Sequence, residues 1–150
     1  AALALNSPST LLAITLAPNW AVESGDPETK IHVLQVARRG TILHRENEAA
    51  LVVTFEDPAL LSHRYERVFH TSEEPPPAGT AFTNEMFTAT VLATEGPLVR
   101  SVRLDFPMPL EDAGYRFLAW EKGAYRRLAM PAVGETLRLP EPAPTVPWVP

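Results

Sequence analysis

Histidine and glutamate are the residues of this sequence that could coordinate a metal ion. His44, His63 and His70 have glutamates nearby in the chain, and imidazole is the commonest transition-metal ligand in proteins. On a helix, the seven-residue spacing of His63 and His70 would place them on one face but about 10 Å apart. One ion cannot bridge that distance, and the chain has no cysteine to supply a thiolate. We therefore predict no metal site, and we interpret the histidines, including His32 in an apolar segment, as surface or hydrogen-bonded side chains.

Paired carboxylates and serines are the residues that could serve a hydrolase. Glycosidases use two carboxylates at a defined separation, and adjacent acidic residues occur at positions 56–57, 73–74 and 111–112. Neighbours on a strand point to opposite faces, however, and acidic residues in proline-flanked loops are typically solvated. No serine lies in a nucleophile-elbow context, and no glycine-rich phosphate loop is present. The sequence thus predicts no catalytic residue and no cofactor, and an unrecognised hydrolase is the least favoured interpretation.

An aromatic and cationic segment over residues 115–127 is the strongest candidate for binding. It contains four aromatic residues and three arginines: Tyr115, Phe117, Trp120, Tyr125, Arg116, Arg126 and Arg127. Such side chains stack on sugars or bases and anchor protein interfaces. The alternative, which we favour, is that the rings belong to the core and the arginines face solvent. Trp148 lies in a proline-rich terminus, where it indicates either a partner contact or docking on its own domain.

Composition and charge limit the class of protein. The chain has 150 residues, 45% of them hydrophobic and 21% charged, which is typical of one globular domain. With 13 basic and 18 acidic residues its net charge is −5, the wrong sign for general binding to nucleic acid. The first charged residue is Glu23, but polar residues and prolines interrupt the preceding stretch, so we expect it to fold and not to insert in a membrane. The absence of cysteine leaves the localisation open.

Proline and arginine are over-represented. Sixteen prolines against seven glycines argue against long helices, because an interior proline removes a backbone donor and clashes with the preceding turn. Arginine greatly outnumbers lysine and the only glutamine is Gln35, a bias that favours a thermostable protein. A GC-rich genome produces the same bias, so this indication has two explanations.

Short runs rich in β-branched and aromatic residues, separated by turn residues, predict successive β-strands. In the run that begins at Lys30, apolar residues occur at both odd and even positions, so both faces of this strand carry apolar side chains. Both faces are therefore expected to be covered, which predicts two packed sheets. In the run ending at Phe106, Leu98, Val102 and Leu104 are expected to point inward with Phe106. The nine predicted strands are Thr10–Leu16, Lys30–Ala37, Thr41–His44, Ala50–Glu56, Met86–Thr94, Leu98–Phe106, Tyr115–Trp120, Ala124–Met130 and Glu135–Leu139.

Turn residues predict how some of these strands connect. Residues 38–40 and 121–123 fit three-residue hairpin loops, each with its glycine, Gly40 or Gly123, in the left-handed conformation. Asp57 followed by Pro58 fits a helix start, which predicts a helix to about Arg67, with a strand over residues 65–71 as the alternative. Residues 72–80 contain three consecutive prolines and are expected to form an exposed connection.

Together these elements predict an all-β fold, either an antiparallel β-sandwich or a jelly-roll-like barrel. We expect eight to nine strands and at most one short helix, near residues 58–67. One domain would span residues 1–139, with residues 1–9 as a candidate extended arm and residues 140–150 as a proline-rich extended tail.

The lack of recognisable chemistry and the proline-rich end favour a non-enzymatic structural or assembly protein. Examples are a virion coat (capsid) or decoration protein, or a cell-envelope component, which would contact copies of itself or another assembly subunit. A virion or extracytoplasmic location follows from that hypothesis. The alternative is a ligand-binding β module that uses the Trp120 hairpin for a carbohydrate or another small ligand.

Overall fold

The computed structural model describes residues 1–7, 30–34, 40–56, 76–96, 98–139 and 141. The predicted strand at residues 10–16, the predicted helix at 58–67 with its alternative strand, and Trp148 lie outside these ranges. Among the described residues there is no helix, and so none with the length and hydropathy to cross a membrane. The described chain forms ten strands: β1 (Ala2–Ala4), β2 (Ile31–Val33), β3 (Thr41–Asn47), β4 (Ala50–Phe55), β5 (Ala81–Thr83), β6 (Thr88–Glu95), β7 (Leu98–Asp105), β8 (Arg116–Glu121), β9 (Ala124–Arg127) and β10 (Thr136–Leu139).

The strands form two sheets. The larger has six strands in the order β10-β3-β4-β7-β6-β5, and every neighbouring pair is antiparallel. The smaller has the order β2-β1-β8-β9, in which β1 runs parallel to both of its neighbours and β8 and β9 are antiparallel. The predicted β-sandwich is therefore confirmed, and the sheets do not close into a barrel.

Apolar side chains from the facing sides of both sheets form one core. Leu3, Leu5 and Phe117 contribute from the smaller sheet, and Leu43 and Leu51 are among those of the larger. Alternation along a strand sends every second side chain to this shared layer, which is why the sandwich buries it.

An aromatic cluster lies where β7 ends and β8 begins. The Phe106 ring is at the centre, with centroid distances of 5.8 Å to Phe87 and 5.5 Å to both Tyr115 and Phe117. As predicted, Val102, Leu104 and Phe106 are buried, whereas Leu98 is half-buried and its neighbour Val99 takes the core position.

Strand β1 is an inner strand covered on both faces. Ala2, Leu3, Ala4 and Leu5 have no accessible surface, and Ala2 and Ala4 pack with Leu118 in a second apolar cluster. Parallel strands are normally buried on both faces. On the face of β1 that points away from the main core, the side chains are the small ones of Ala2 and Ala4. Residues 1–7, the described part of the candidate arm, are thus integral to the smaller sheet.

The predicted hairpin between segments 30–37 and 41–44 is wrong. Strand β2 pairs with β1 in the smaller sheet, whereas β3 pairs with β4 and β10 in the larger one. Gly40 is not left-handed; its carbonyl accepts a hydrogen bond from Glu56 N, and an added Cβ would collide with the Glu56 carboxylate. A local turn signal does not specify the partner of β2, because that partner, β1, lies far away in sequence.

The hairpin formed by β8 and β9 is confirmed. Trp120 pairs with Tyr125 and Glu121 with Ala124, which leaves a two-residue turn in place of the expected three-residue loop. Lys122 and Gly123 have φ values of 50° and 87°, so both are left-handed, as a type I′ turn requires. Gly123 therefore has the predicted conformation.

The sequence analysis did not predict two short strands. Strands β1 and β5 have three residues each, too few to show an alternating pattern. Residues 76–80, the described part of the predicted connection, are exposed or half-buried and turn at Gly79, whose φ is 89°.

Candidate functional site

The described histidines do not converge on one point. His44 lies on the outer face of the larger sheet, where its Nδ1 is 3.1 Å from the Thr136 hydroxyl. His32 lies at the inter-sheet boundary, with its ring centroid 6.2 Å from that of Phe87. Within the described ranges no three histidine or acidic side chains come together as a metal site would require, and His63 and His70 are outside those ranges.

Three acidic residues of the predicted carboxylate pairs have structural partners. Glu56 accepts a 2.7 Å hydrogen bond from Arg138, and Glu111 pairs with Arg45. The Asp112 carboxylate accepts the backbone N–H of Gly114 at 2.7 Å and so closes a turn. These groups stabilise loops and strand ends and form no catalytic pair with one another.

Trp120 is a core residue. Its side chain is only 6% exposed, and its ring packs edge-on against Tyr125 at a centroid distance of 5.0 Å. Trp120 N donates to Asn6 Oδ1 and the Tyr125 hydroxyl donates to Ser7 Oγ, both at 2.7 Å, which links the hairpin to the residues that follow β1. The indole Nε1 is buried and has no hydrogen-bond partner among the residues that the structure describes. The aromatic segment therefore presents no exposed indole for stacking, while its three arginines face solvent.

Arg45 is a buried charge that the sequence analysis did not identify. It is 4% exposed, and its guanidinium donates to both Glu111 carboxylate oxygens and to the backbone carbonyls of Asn47, Glu48 and Pro131. Every N–H of the guanidinium is thereby satisfied, which a buried arginine requires. The charge-assisted hydrogen bond from Arg45 lowers the pKa of Glu111 below its usual value. Nothing in the alternating pattern around residue 45 distinguishes it from a solvated arginine.

The four edge strands of the described sheets differ in charge. Arginines lie on two of them, Arg126 and Arg127 on β9 and Arg138 on β10, and Lys30 directly precedes a third, β2. Strand β5, with the sequence Ala-Phe-Thr, carries no charge. Charged residues on an edge discourage pairing with another chain, so β5 is the edge best suited to such pairing.

Strand β5 offers both backbone groups and an apolar side chain. The bonds Val91 N→Thr80 O and Asn84 N→Phe87 O show that even-numbered residues face β6. By the alternation of an antiparallel ladder, the N–H and C=O groups of Ala81 and Thr83 point away from the sheet. Phe82 pairs with Ala89 on the core-facing side, yet it is 53% exposed, so the smaller sheet does not cover it.

The described residues form a two-layer β-sandwich in which the edge strand β5 carries no charge and has no described strand on its outer side. No protein-family model, curated protein or solved structure matches the chain. Function must therefore be argued from the site itself.

Proposed function

We propose that this protein is a non-enzymatic assembly subunit that pairs with a second copy of itself through β5. The observation that carries the proposal is an edge strand without a charged residue, on which Phe82 is exposed and the outward backbone groups of Ala81 and Thr83 have no strand partner among the described residues. A coat, decoration or envelope layer is the setting we propose, because such layers bring many copies of one chain together.

Edge-to-edge pairing of two copies has a simple twofold geometry. If the axis passes beside Phe82, Ala81 of one copy faces Thr83 of the other, and each such pair exchanges N–H to C=O hydrogen bonds. The two Phe82 residues then form a non-hydrogen-bonded cross-strand pair, with Cβ atoms about 4.5–5.5 Å apart on one face. The result is one continuous sheet that runs through both copies.

A three-residue strand pair buries little surface, so the isolated contact is expected to be weak. Affinity in an assembly would come from several such contacts acting together, since linked contacts raise the effective concentration of each one. We therefore expect a dimer with a Kd of about 0.1–1 mM in dilute solution. A high-concentration measurement is required to detect it.

Sedimentation equilibrium up to about 1 mM protein tests this expectation. The unmodified chain should rise above its monomer mass of 16.5 kDa with concentration. Thr83→Pro removes one outward N–H without breaking the β5–β6 ladder, and Phe82→Lys adds the missing edge charge, so both should remain monomeric. Val133→Lys is the matched control, because Val133 is equally exposed but lies outside β5.

A chain that stays monomeric at the highest concentration would overturn the proposal. A dimer that persists in Phe82→Lys and Thr83→Pro would place the contact on another surface. Circular dichroism of each variant verifies that the fold is intact.

A further inference from the structure

We propose that the edge strand β9 binds an extended acidic segment of a partner protein as an added antiparallel strand. Strand β9 pairs with β8 on one side and has no described strand on its other side. It belongs to the smaller sheet, whereas β5 belongs to the larger one. The inference is therefore independent of the proposed self-assembly and concerns a different kind of partner.

Alternate residues of β9 direct their backbone groups away from β8. Leu128 N donates to Phe117 O at 2.8 Å, so these two residues form a hydrogen-bonded pair of the ladder. Counted back along the register, Tyr125 and Arg127 occupy the non-hydrogen-bonded positions. Their N–H and C=O groups therefore point outward. Outward donors and acceptors on an edge strand are what an added peptide strand pairs with.

Two arginines on β9 have no acidic partner in the part of the chain that the structure describes. Arg126 and Arg127 are both exposed, and no described carboxylate lies within ion-pair distance of either. Glu121, the acidic residue of this hairpin, pairs with Lys122 at 3.7 Å instead. Because side chains alternate along a strand, Arg126 and Arg127 lie on opposite faces of the sheet. A strand laid along β9 therefore meets a positive charge on each face.

These charges determine which strands can pair with β9. Pairing with the same strand of a second copy would bring the arginines of both copies together, and like charges on neighbouring strands are destabilising. Carboxylates opposite Arg126 and Arg127 would instead form cross-strand pairs of opposite charge. The half-buried Tyr125, whose ring packs on Trp120, favours an apolar residue opposite it. Read along an antiparallel partner, the expected sequence is two acidic residues followed by an apolar one.

Strand β9 is fixed in place by the rest of the smaller sheet. The Tyr125 ring packs edge-on against Trp120 at a centroid distance of 5.0 Å, and its hydroxyl donates to Ser7 Oγ at 2.7 Å. The tight turn at Lys122 and Gly123 connects β9 directly to β8. An edge that is already extended loses less conformational entropy when a partner binds.

The same edge matches nucleic acid less well than a peptide. Phosphate groups offer hydrogen-bond acceptors, whereas the outward C=O groups of Tyr125 and Arg127 need donors. Two unpaired arginines neutralise few phosphates, and the net charge of the whole chain is −5. An extended acidic peptide supplies donors, acceptors and negative charge together.

An NMR titration of ¹⁵N-labelled protein with the blocked peptide acetyl-Thr-Thr-Glu-Glu-Val-Thr-amide tests the proposal. We expect a Kd of about 0.1–1 mM at low salt, because the contact is short and exposed. The amide protons of Tyr125 and Arg127 should shift more than those of Ala124 and Arg126, since only the outward N–H groups gain a hydrogen bond.

Variants separate the contribution of charge from that of the backbone. Arg126→Gln and Arg127→Gln should each weaken binding by about 2-fold to 5-fold, the range for one exposed ion pair. Lys30→Gln is the matched control: it removes one charge beside β2, at the opposite edge of the same sheet, and should leave the Kd unchanged. N-methylation of the first peptide glutamate, whose N–H faces Arg127 O, should abolish binding. N-methylation of the second glutamate, whose N–H points away from β9, should have little effect.

Several outcomes would overturn the proposal. Absence of any shift at about 5 mM peptide, or shifts that leave Tyr125 and Arg127 unaffected, would show that β9 is not the site. Equal affinity for a peptide with Gln-Gln in place of Glu-Glu would refute the acidic partner, and tighter binding of an oligothymidylate of equal charge would replace it with nucleic acid. Thr83→Pro, which should be monomeric, is expected to bind the peptide as the unmodified chain does, so β9 binding and the β5 dimer fail or succeed separately.

Discussion

Trp120 is the residue at which substitution most directly tests the packing of the smaller sheet. Trp120 is 6% exposed and its indole packs on Tyr125, but within the described ranges its Nε1–H has no hydrogen-bond partner. Replacing a buried tryptophan by alanine generally costs about 3–5 kcal/mol, because transfer and cavity contributions add. An unpaired buried donor already costs the folded protein about 1–3 kcal/mol, and Trp120→Ala removes that cost. The midpoints of these two ranges differ by about 2 kcal/mol, which is the net loss that we expect in the free energy of unfolding.

The unpaired Nε1–H of Trp120 leads to a specific prediction for Trp120→Phe. This substitution retains an aromatic ring against Tyr125 and removes the unpaired donor, so gain and loss should cancel to within about 1 kcal/mol. Tyr125→Phe is the matched control, because it removes a hydrogen bond that is made, to Ser7 Oγ. It should cost about 0.5–1.5 kcal/mol.

Urea unfolding followed by far-ultraviolet circular dichroism measures all three variants without relying on tryptophan fluorescence. A loss below about 1 kcal/mol for Trp120→Ala would refute the burial of the indole and restore the exposed-platform interpretation of the hairpin. A loss above about 3 kcal/mol for Trp120→Phe would show that Nε1–H is bonded in the folded protein.

Three further predictions concern the turn, the Arg45–Glu111 ion pair and the histidines. Gly123→Val should cost about 1–3 kcal/mol in urea unfolding, since φ is 87°, whereas Lys122→Asn should stabilise the turn by up to about 1 kcal/mol. Arg45 lowers the pKa of Glu111 below 4.5. The pair therefore stabilises the fold above that pH and loses its effect as the pH falls through the lowered value, so Glu111→Gln should flatten the decline in melting temperature below about pH 4.5. Chelation with EDTA should leave the melting temperature of the untagged chain unchanged; a substantial decrease would show that the histidines hold a metal.

Alternation and turn chemistry are local, and the sequence by itself determined what depends on them. A period of two in apolar residues follows from the pleat, so β3, β4 and β7 could be located from their own residues. The turn at Lys122–Gly123 could be found because few residue types tolerate a positive φ. The sequence also favoured burial of Trp120 over an exposed binding surface, and Trp120 is 6% exposed.

Only the tertiary structure decided which strands are neighbours and which edge is open. Strand β1 lies between β2 and β8, and the residues that it pairs with are distant in sequence. The buried guanidinium of Arg45 bonds to Glu111 and Pro131, which lie in loops distant in sequence. The sequence of β3 alone does not indicate these partners. The edge position of β5 and the exposure of Phe82 depend on how the whole larger sheet is assembled. Such features depend on how much apolar surface the whole chain buries in one arrangement compared with another. A local pattern of residues does not contain that information.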